Sequence, residues 1–229
     1  GAERSAAKEK LSCKITNIYT SAIKAYFNVD EFRASDKQYS WTIEQLALLP
    51  IDWYGGADLS KLHDLTAAAL YGTYKTGNTI TIVTEDGKEL KIPEEIDIAI
   101  THAWFPVVMA TVKADEDGIP LFGWKDDGWL DMCNSPTVNY AEIVNWFVKM
   151  KRMGFRIKQV GHDRKFCREY FIGMKKAGFN IVDQPQYFYK KSEGFRRIET
   201  KAKDGKFYYL HSSAFEYCLE NVSAIEKTD

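Results

Sequence analysis

Two periodicities divide this chain. Between positions 51 and 109 the apolar residues come in short runs rich in Ile, Val, Thr, Tyr and Ala, punctuated by glycine and polar turns, as strands are. Positions 51–60 and 65–74 read as adjacent strands joined by the polar turn Lys-Leu-His-Asp. Positions 79–84 and 89–92 flank Glu-Asp-Gly-Lys, a hairpin signal with Asp86 and Gly87 at its tip. A further strand-like stretch covers 96–109, interrupted at Pro106. From Asn139 the period becomes helical. Ile143, Trp146, Phe147 and Met150 share one face of a segment that Asn139 caps and Gly154 stops. A strand at 155–161 follows, then a helix at 164–177 ended by Gly178 and a strand at 179–182. Next come a basic helix from a Ser192 cap to about Lys203, a short strand at 207–210 and a final helix at 212–221. Antiparallel strands first and alternating strands and helices afterwards specify an α/β fold. Its sheet is mixed, with antiparallel hairpin strands plus parallel strands, flanked by helices.

Positions 1–50 carry no sustained core pattern beyond a short helix within Trp-Thr-Ile-Glu-Gln-Leu-Ala-Leu-Leu (41–49) that Thr42 can cap, closed by Pro50. They read as a connecting arm packed on a main domain of residues 51–229. The sequence opens at Gly1 with no Met, as expected of an expression fragment of a longer chain. With 229 residues, 45% of them hydrophobic, there is enough apolar surface for one sizeable core. Cys13, Cys133, Cys167 and Cys218 are widely scattered, which argues for reduced thiols and against a disulfide framework or zinc knuckle. The longest uncharged apolar stretch, 98–112, is too short for a bilayer and contains His102 and Pro106, so no membrane partner is expected. The sequence lacks the phosphate-binding GxxxxGK[ST] loop, HExxH and GxSxG, and Gly55-Gly56 does not fit a dinucleotide fingerprint.

The net charge of −1 hides an asymmetry. Positions 149–206 hold 17 Lys and Arg against 6 Asp and Glu, a net of +11, which leaves −12 on the remainder. Such a division suggests one polyanion-facing surface on an otherwise acidic body. Lys190, Lys191, Arg196, Arg197 and Lys201 concentrate it on the basic helix and are the candidate DNA contacts. A solvated amphipathic helix with Phe195 and Ile198 inward explains the same residues equally well.

Two carboxylates stand at the ends of core strands. Asp58 follows Gly55, Gly56 and Ala57, small residues that let a ligand approach closely. Asp163 ends the run Arg-Ile-Lys-Gln-Val-Gly-His-Asp. Alone, Asp58 reads as a turn cap and Asp163 as a helix N-cap. Together they fit a divalent-cation site, because hard cations take carboxylate oxygens and open α/β sheets place ligands beyond the carboxyl ends of their strands. His162 should point to the opposite face from Asp163. A third carboxylate is expected, and Asp64, Glu142, Glu216, Glu220 and Asp229 are available, none at a convincing strand end.

In order along the chain, these segments resemble the nuclease domain of the large terminase subunit of tailed bacteriophages, HK97-like group. Tyr-Gly-Gly-Ala-Asp-Leu-Ser with Asp-Leu-Thr-Ala is similar to the family's opening motif, and His-Ala-Trp-Phe-Pro and the run from Trp124 to Leu130 to its tryptophan-containing segments. The Gly-His-Asp around Asp163 resembles an Ile-Gly-Tyr-Asp element, the run from Gln184 a Gln-x-Tyr stretch, and Asn221-Val222 its Asn-Val segment. Thr-Asn-Ile-Tyr-Thr near the start is similar to the segment that links the packaging ATPase to the nuclease.

The resemblance implies an RNase H-like fold and a Mg²⁺- or Mn²⁺-dependent endonuclease that cuts concatemeric double-stranded DNA by a two-metal-ion mechanism. Asp58 and Asp163 would be its first two metal-binding and catalytic residues. The family's third carboxylate falls after the Asn-Val segment, beyond Asp229, so the nuclease domain is expected to be truncated at its C-terminus. The arm would lead from an N-terminal ATPase domain lying before Gly1. DNA, the ATPase domain, the small terminase subunit and the portal are the implied partners, in the cytoplasm of an infected bacterial host. The alternatives are a catalytically silent DNA-binding or docking module of the packaging motor, or another RNase H-like resolvase or transposase core.

Overall fold

The computed structural model describes residues 22–26, 41–60, 65–163, 168–185 and 187–227. In chain order the elements are β1 (Ala22–Tyr26), α1 (Ile43–Ala47), β2 (Trp53–Asp58), β3 (Thr66–Val83) and β4 (Glu89–Pro106). Then follow α2 (Val107–Asp117), α3 (Leu121–Asp126), β5 (Leu130–Cys133), α4 (Tyr140–Met153), β6 (Ile157–His162) and α5 (Arg168–Lys176). The last are β7 (Ile181–Asp183), α6 (Phe188–Lys203), β8 (Phe207–Tyr209), α7 (Ser213–Asn221) and β9 (Ser223–Lys227). Contacts along the chain fall into two units, Asp30–Phe215 and the terminal segments Gly1–Val29 with Glu216–Asp229. In the terminal unit β1 and β9 pair antiparallel, from Ala22 opposite Lys227 to Tyr26 opposite Ser223.

The larger unit is built on a mixed sheet of order β5-β4-β3-β2-β6-β7, with β8 added beside β4. β2, β3 and β4 are antiparallel neighbours, whereas β6 lies parallel to β2 and β7 parallel to β6. This is the RNase H-like arrangement expected from the sequence. Its core lies between one sheet face and α4. Ile143, Phe147 and Met150 of α4 meet Trp53, Leu70, Ile98 and Ile100 of the strands, with Tyr170 and Met174 of α5 alongside. These are the a/d-like positions that the helical period marked, and both predicted ends hold. Asn139 accepts the Ala141 amide at 3.0 Å, and Gly154 ends the helix at φ 117°. Thr42 and Gln45 form a reciprocal capping box on α1, which places Leu46 and Ala47 in the same core.

Several expected boundaries move. The stretches 65–74 and 79–84 are one strand, β3, whose register against β4 shifts between Lys75 and Thr79. Gly77 sits in that interval at φ 86°, a backbone that lets a bulge interrupt the pairing without ending it. The strand expected through 109 stops at Pro106, and positions 107–109 open α2 instead. Proline cannot donate to a ladder, but its fixed φ suits a helix entrance. α2, α3 and β5 had no expectation, since α2 buries only Ala110 and gives a weak periodic signal. The basic helix begins at Phe188 and not after Ser192, because nothing between Pro185 and Ser192 breaks a helix and the Lys191 amide bonds the Tyr187 carbonyl at 3.1 Å. The turn at 61–64, the start of the helix expected from 164, Cys13, Cys167 and most of the arm lie outside the described residues. Cys133 is buried, and that burial pushes its thiol up to about 11.

Candidate metal and nucleic-acid site

Asp58 and Asp163 come together through strand register. In the β2–β6 pair, Gly55 lies beside Val160, Gly56 beside Gly161 and Ala57 beside His162. One step further stand Asp58, the last residue of β2, and Asp163, the first residue after β6. They therefore end adjacent parallel strands at the same level, on strands about 4.8 Å apart. Asp58 is exposed and Asp163 half-buried.

Alternation fixes the face they occupy. A Cβ added to Gly55 would lie 2.7 Å from Phe147 Cε1 and 2.9 Å from Val160 Cγ2, so Gly55 faces α4 with no room to spare. Tyr54, Gly56 and Asp58 look the other way. A Cβ on Gly56 would meet nothing within 4 Å among the described residues, and across the ladder Asp58 opposes Ala67 and Gly56 opposes Ala69. The surface beside the aspartates is thus floored by Gly56, Gly161, Ala67 and Ala69 and, among the described residues, is open over Gly56.

His162, in contrast, is turned to the helix-covered face, where it is buried against Phe171 at 5.4 Å between ring centres. Its Nε2 lies 3.3 Å from Asp183 Oδ1. Asp183 ends β7 in register with His162, and Gln184 is the next residue. Sequence reasoning passed over both. The available signal was Pro185, which marks Gln184 as the end of its strand.

Two carboxylates at one strand edge, with small residues beside them, are a donor set that suits a hard, oxygen-seeking cation. Among the described residues no group of three or more His, Cys, Asp or Glu is close enough to hold one. Of the residues considered for a third carboxylate, Asp64 and Asp229 lie outside the described residues, Glu216 and Glu220 fall on α7, and Glu142 accepts a hydrogen bond from the Cys133 thiol.

The basic helix α6 lies over the same sheet face as the aspartates. Its anchor is Asp97 of β4, fully buried and opposite Thr73 in register, six residues along β3 from the partner of Asp58. That separation is about 20 Å along the strand. Arg197 donates from Nε to Asp97 Oδ2 at 2.8 Å and from a terminal nitrogen to Oδ1 at 3.0 Å. The Tyr71 hydroxyl donates to Oδ2, and Thr73 donates to Oδ1 at 2.9 Å. Lys201 donates to the Glu95 carbonyl at 2.9 Å, with its Nζ 3.9 Å from Asp97. Burial raises the Asp97 carboxyl, but Arg197, Tyr71, Lys201 and Thr73 together outweigh it and hold the group below its usual range. Burial and Asp97 together raise the Tyr71 hydroxyl, which keeps it a donor.

The five expected DNA contacts therefore divide. Lys190, Lys191 and Arg196 are exposed on α6, while Arg197 and Lys201 also fasten the helix to the sheet. Between α6 and the β3–β4 ribbon lies a groove of about 490 Å³ lined by Ile80, Ile92, Arg196, Arg197, Lys201 and Lys206. Asp97 itself was legible as an acid inside the apolar run from Ile96 to Ile100, yet it went unremarked.

No family model matches the chain, and no curated protein matches it. Solved structures do. The crystal structure of the large terminase of bacteriophage HK97 superposes with a TM-score of 0.69 and 18% sequence identity over 90% of this chain. The match spans only 38% of the HK97 protein. The large terminase nuclease of thermophilic phage G20c, in one structure without and in another with bound magnesium, matches at 8% identity over 79% of this chain and 74% of that one. Its TM-scores are 0.42 and 0.40. Among the described residues, no helix is long and apolar enough to cross a membrane. The chain has the fold found in the HK97 large terminase, an RNase H-like mixed sheet flanked by helices.

Proposed function

We propose that this chain is the nuclease domain of a viral DNA-packaging terminase, a metal-dependent endonuclease acting on concatemeric double-stranded DNA. The observation that carries the reading is the register of Asp58 and Asp163, which end adjacent parallel strands on an open face of an RNase H-like sheet. Asp58 and Asp163 hold Mg²⁺ or Mn²⁺. Bound there, one such ion or a pair would supply charge stabilisation to the phosphate and an activated water. Gly56, Gly161 and the alanines of β3 leave the room through which a phosphodiester backbone reaches the carboxylates. Lys190, Lys191 and Arg196 grip the backbone from α6, whose Arg197 anchor lies about 20 Å along β3 on the same face, with Arg197 and Lys201 joining from the anchored side. The family resemblance implies a third carboxylate, and none is assigned to that place among the described residues.

In this reading residues 1–50 are the arm from an ATPase domain, residues 51–229 the nuclease, and the small terminase subunit and portal the assembly partners. The work is done in the cytoplasm of the infected host. The test is cleavage of supercoiled plasmid in Mn²⁺ or Mg²⁺ by the parent chain, by Asp58→Ala and Asp163→Ala, and by a chain extended at its C-terminus. Cleavage by the extended chain that either substitution removes is the expected result. Cleavage that survives both substitutions refutes the assignment. A chain that binds DNA but never cuts, extended or not, is instead a silent docking module.

A further inference from the structure

The third parallel strand ends in a residue that aligns with the aspartate pair. In the β6–β7 ladder Gly161 lies beside Val182 and His162 beside Asp183, and the Gln184 amide continues it by donating to the His162 carbonyl at 2.8 Å. The next row across the three strands is therefore Asp58, Asp163 and Gln184. Equivalent positions of parallel neighbours face the same way, so Gln184 belongs to the open face and not to the His162 side. A separate observation agrees. A Cβ added to Gly161 would lie 3.4 Å from Gln184 Oε1 and 3.6 Å from Gln184 Cβ, which puts the amide over the glycine immediately before the Asp163 row. Glycine at 161 is what leaves space for it.

We propose that Gln184 contributes its side-chain amide oxygen as a neutral third ligand to the divalent cation held by Asp58 and Asp163. This inference rests on the metal-binding reading of that pair. The chemistry fits, since hard cations accept amide oxygens beside carboxylates and the charge of the ligand set tunes affinity. A neutral oxygen adds coordination without adding the repulsion of a third anion, and it leaves the place of a later carboxylate unfilled. Asp183, the acid nearest to it in sequence, does not share this role, because register turns it toward His162.

The experiment is calorimetric titration of Mn²⁺ into the full 229-residue chain and its variants, with no nucleic acid present. Gln184→Leu should weaken binding about tenfold, the low end of what removing a supporting group near a metal costs. Gln184→Glu should tighten it, since it adds a charge at the same position. Thermal melts of each apo variant, unchanged from the parent, show that folding is intact. Parent-like Mn²⁺ affinity in both Gln184 variants, with binding lost in Asp58→Asn and Asp163→Asn, overturns the role of Gln184 and leaves the aspartate pair standing. Parent-like affinity in the aspartate variants as well overturns both.

Discussion

Asp97 shows how a single residue sets the geometry around it. It is an anion with no exposure in the middle of an apolar strand, tolerable only because Arg197, Tyr71 and Thr73 all donate to it. Asp97→Asn is expected to cost about 3 kcal/mol in a urea denaturation at neutral pH, the low end for breaking a buried pair because Arg197 stays half-exposed. The pH dependence has a definite sign. The folded carboxyl lies below its ordinary range, so its contribution is complete above the unfolded value of about 4 and is lost as pH falls through the folded value. The gap between parent and Asp97→Asn should therefore narrow on acidification below about pH 4. A gap that widens there would mean that the carboxyl is not stabilised as an anion. The two glycines of β2 differ in the same local way. Gly55→Ala drives a Cβ into Phe147 and should cost about 1–3 kcal/mol, whereas Gly56→Ala meets nothing among the described residues and should stay within about 0.5 kcal/mol. Thermal melts of the two variants measure both. If the open floor admits a DNA backbone, Gly56→Ala reduces cleavage without reducing stability.

At the scale of elements, strand period and caps were readable, while length and sidedness were not. The α4 stripe, the Asn139 cap, the Gly154 stop and the Asp86-Gly87 turn were visible because each is a local rule acting on neighbouring residues. The union of two expected strands into β3 was not, because a bulge at a glycine looks the same as a turn until its partner strand is known. α2 was missed because it buries one residue. The neighbouring ends of β2 and β6 could be suspected from two strand-terminal aspartates, but their register is a non-local property that no spacing encodes. Gln184 escaped for the same reason. The basic helix was read either as a DNA surface or as a solvated amphipathic helix, and neither reading separated Arg197 and Lys201, because charge does not tell which side of a helix is fastened. The division predicts that replacing Lys190, Lys191 and Arg196 by Ala lowers DNA affinity with little change in stability. The slope of log affinity against log salt should fall by about 2–3, at 0.9 for each lost phosphate contact. An unchanged slope in fluorescence anisotropy titrations would remove α6 from the DNA path.

For the whole molecule, the charge division and the sheet agree. The basic segment 149–206 runs from the last turn of α4 to just before β8, so its +11 is carried on the half of the larger unit that contains β6 and α6, while the β3–β4 ribbon tip is acidic at Glu85, Asp86 and Glu89. A polyanion is then drawn to the side where Asp163 ends its strand and kept from the ribbon tip. The central claim is that one cation site lies at the common end of β2, β6 and β7. The most direct test is paramagnetic broadening in a ¹H–¹⁵N spectrum of the chain at substoichiometric Mn²⁺. The account predicts that amide signals of Gly56, Asp58, Gly161, Asp163 and Gln184 broaden first, while those of Asp97 and Arg197, about 20 Å along the sheet, persist. Broadening centred elsewhere, with these five signals sharp, would contradict it.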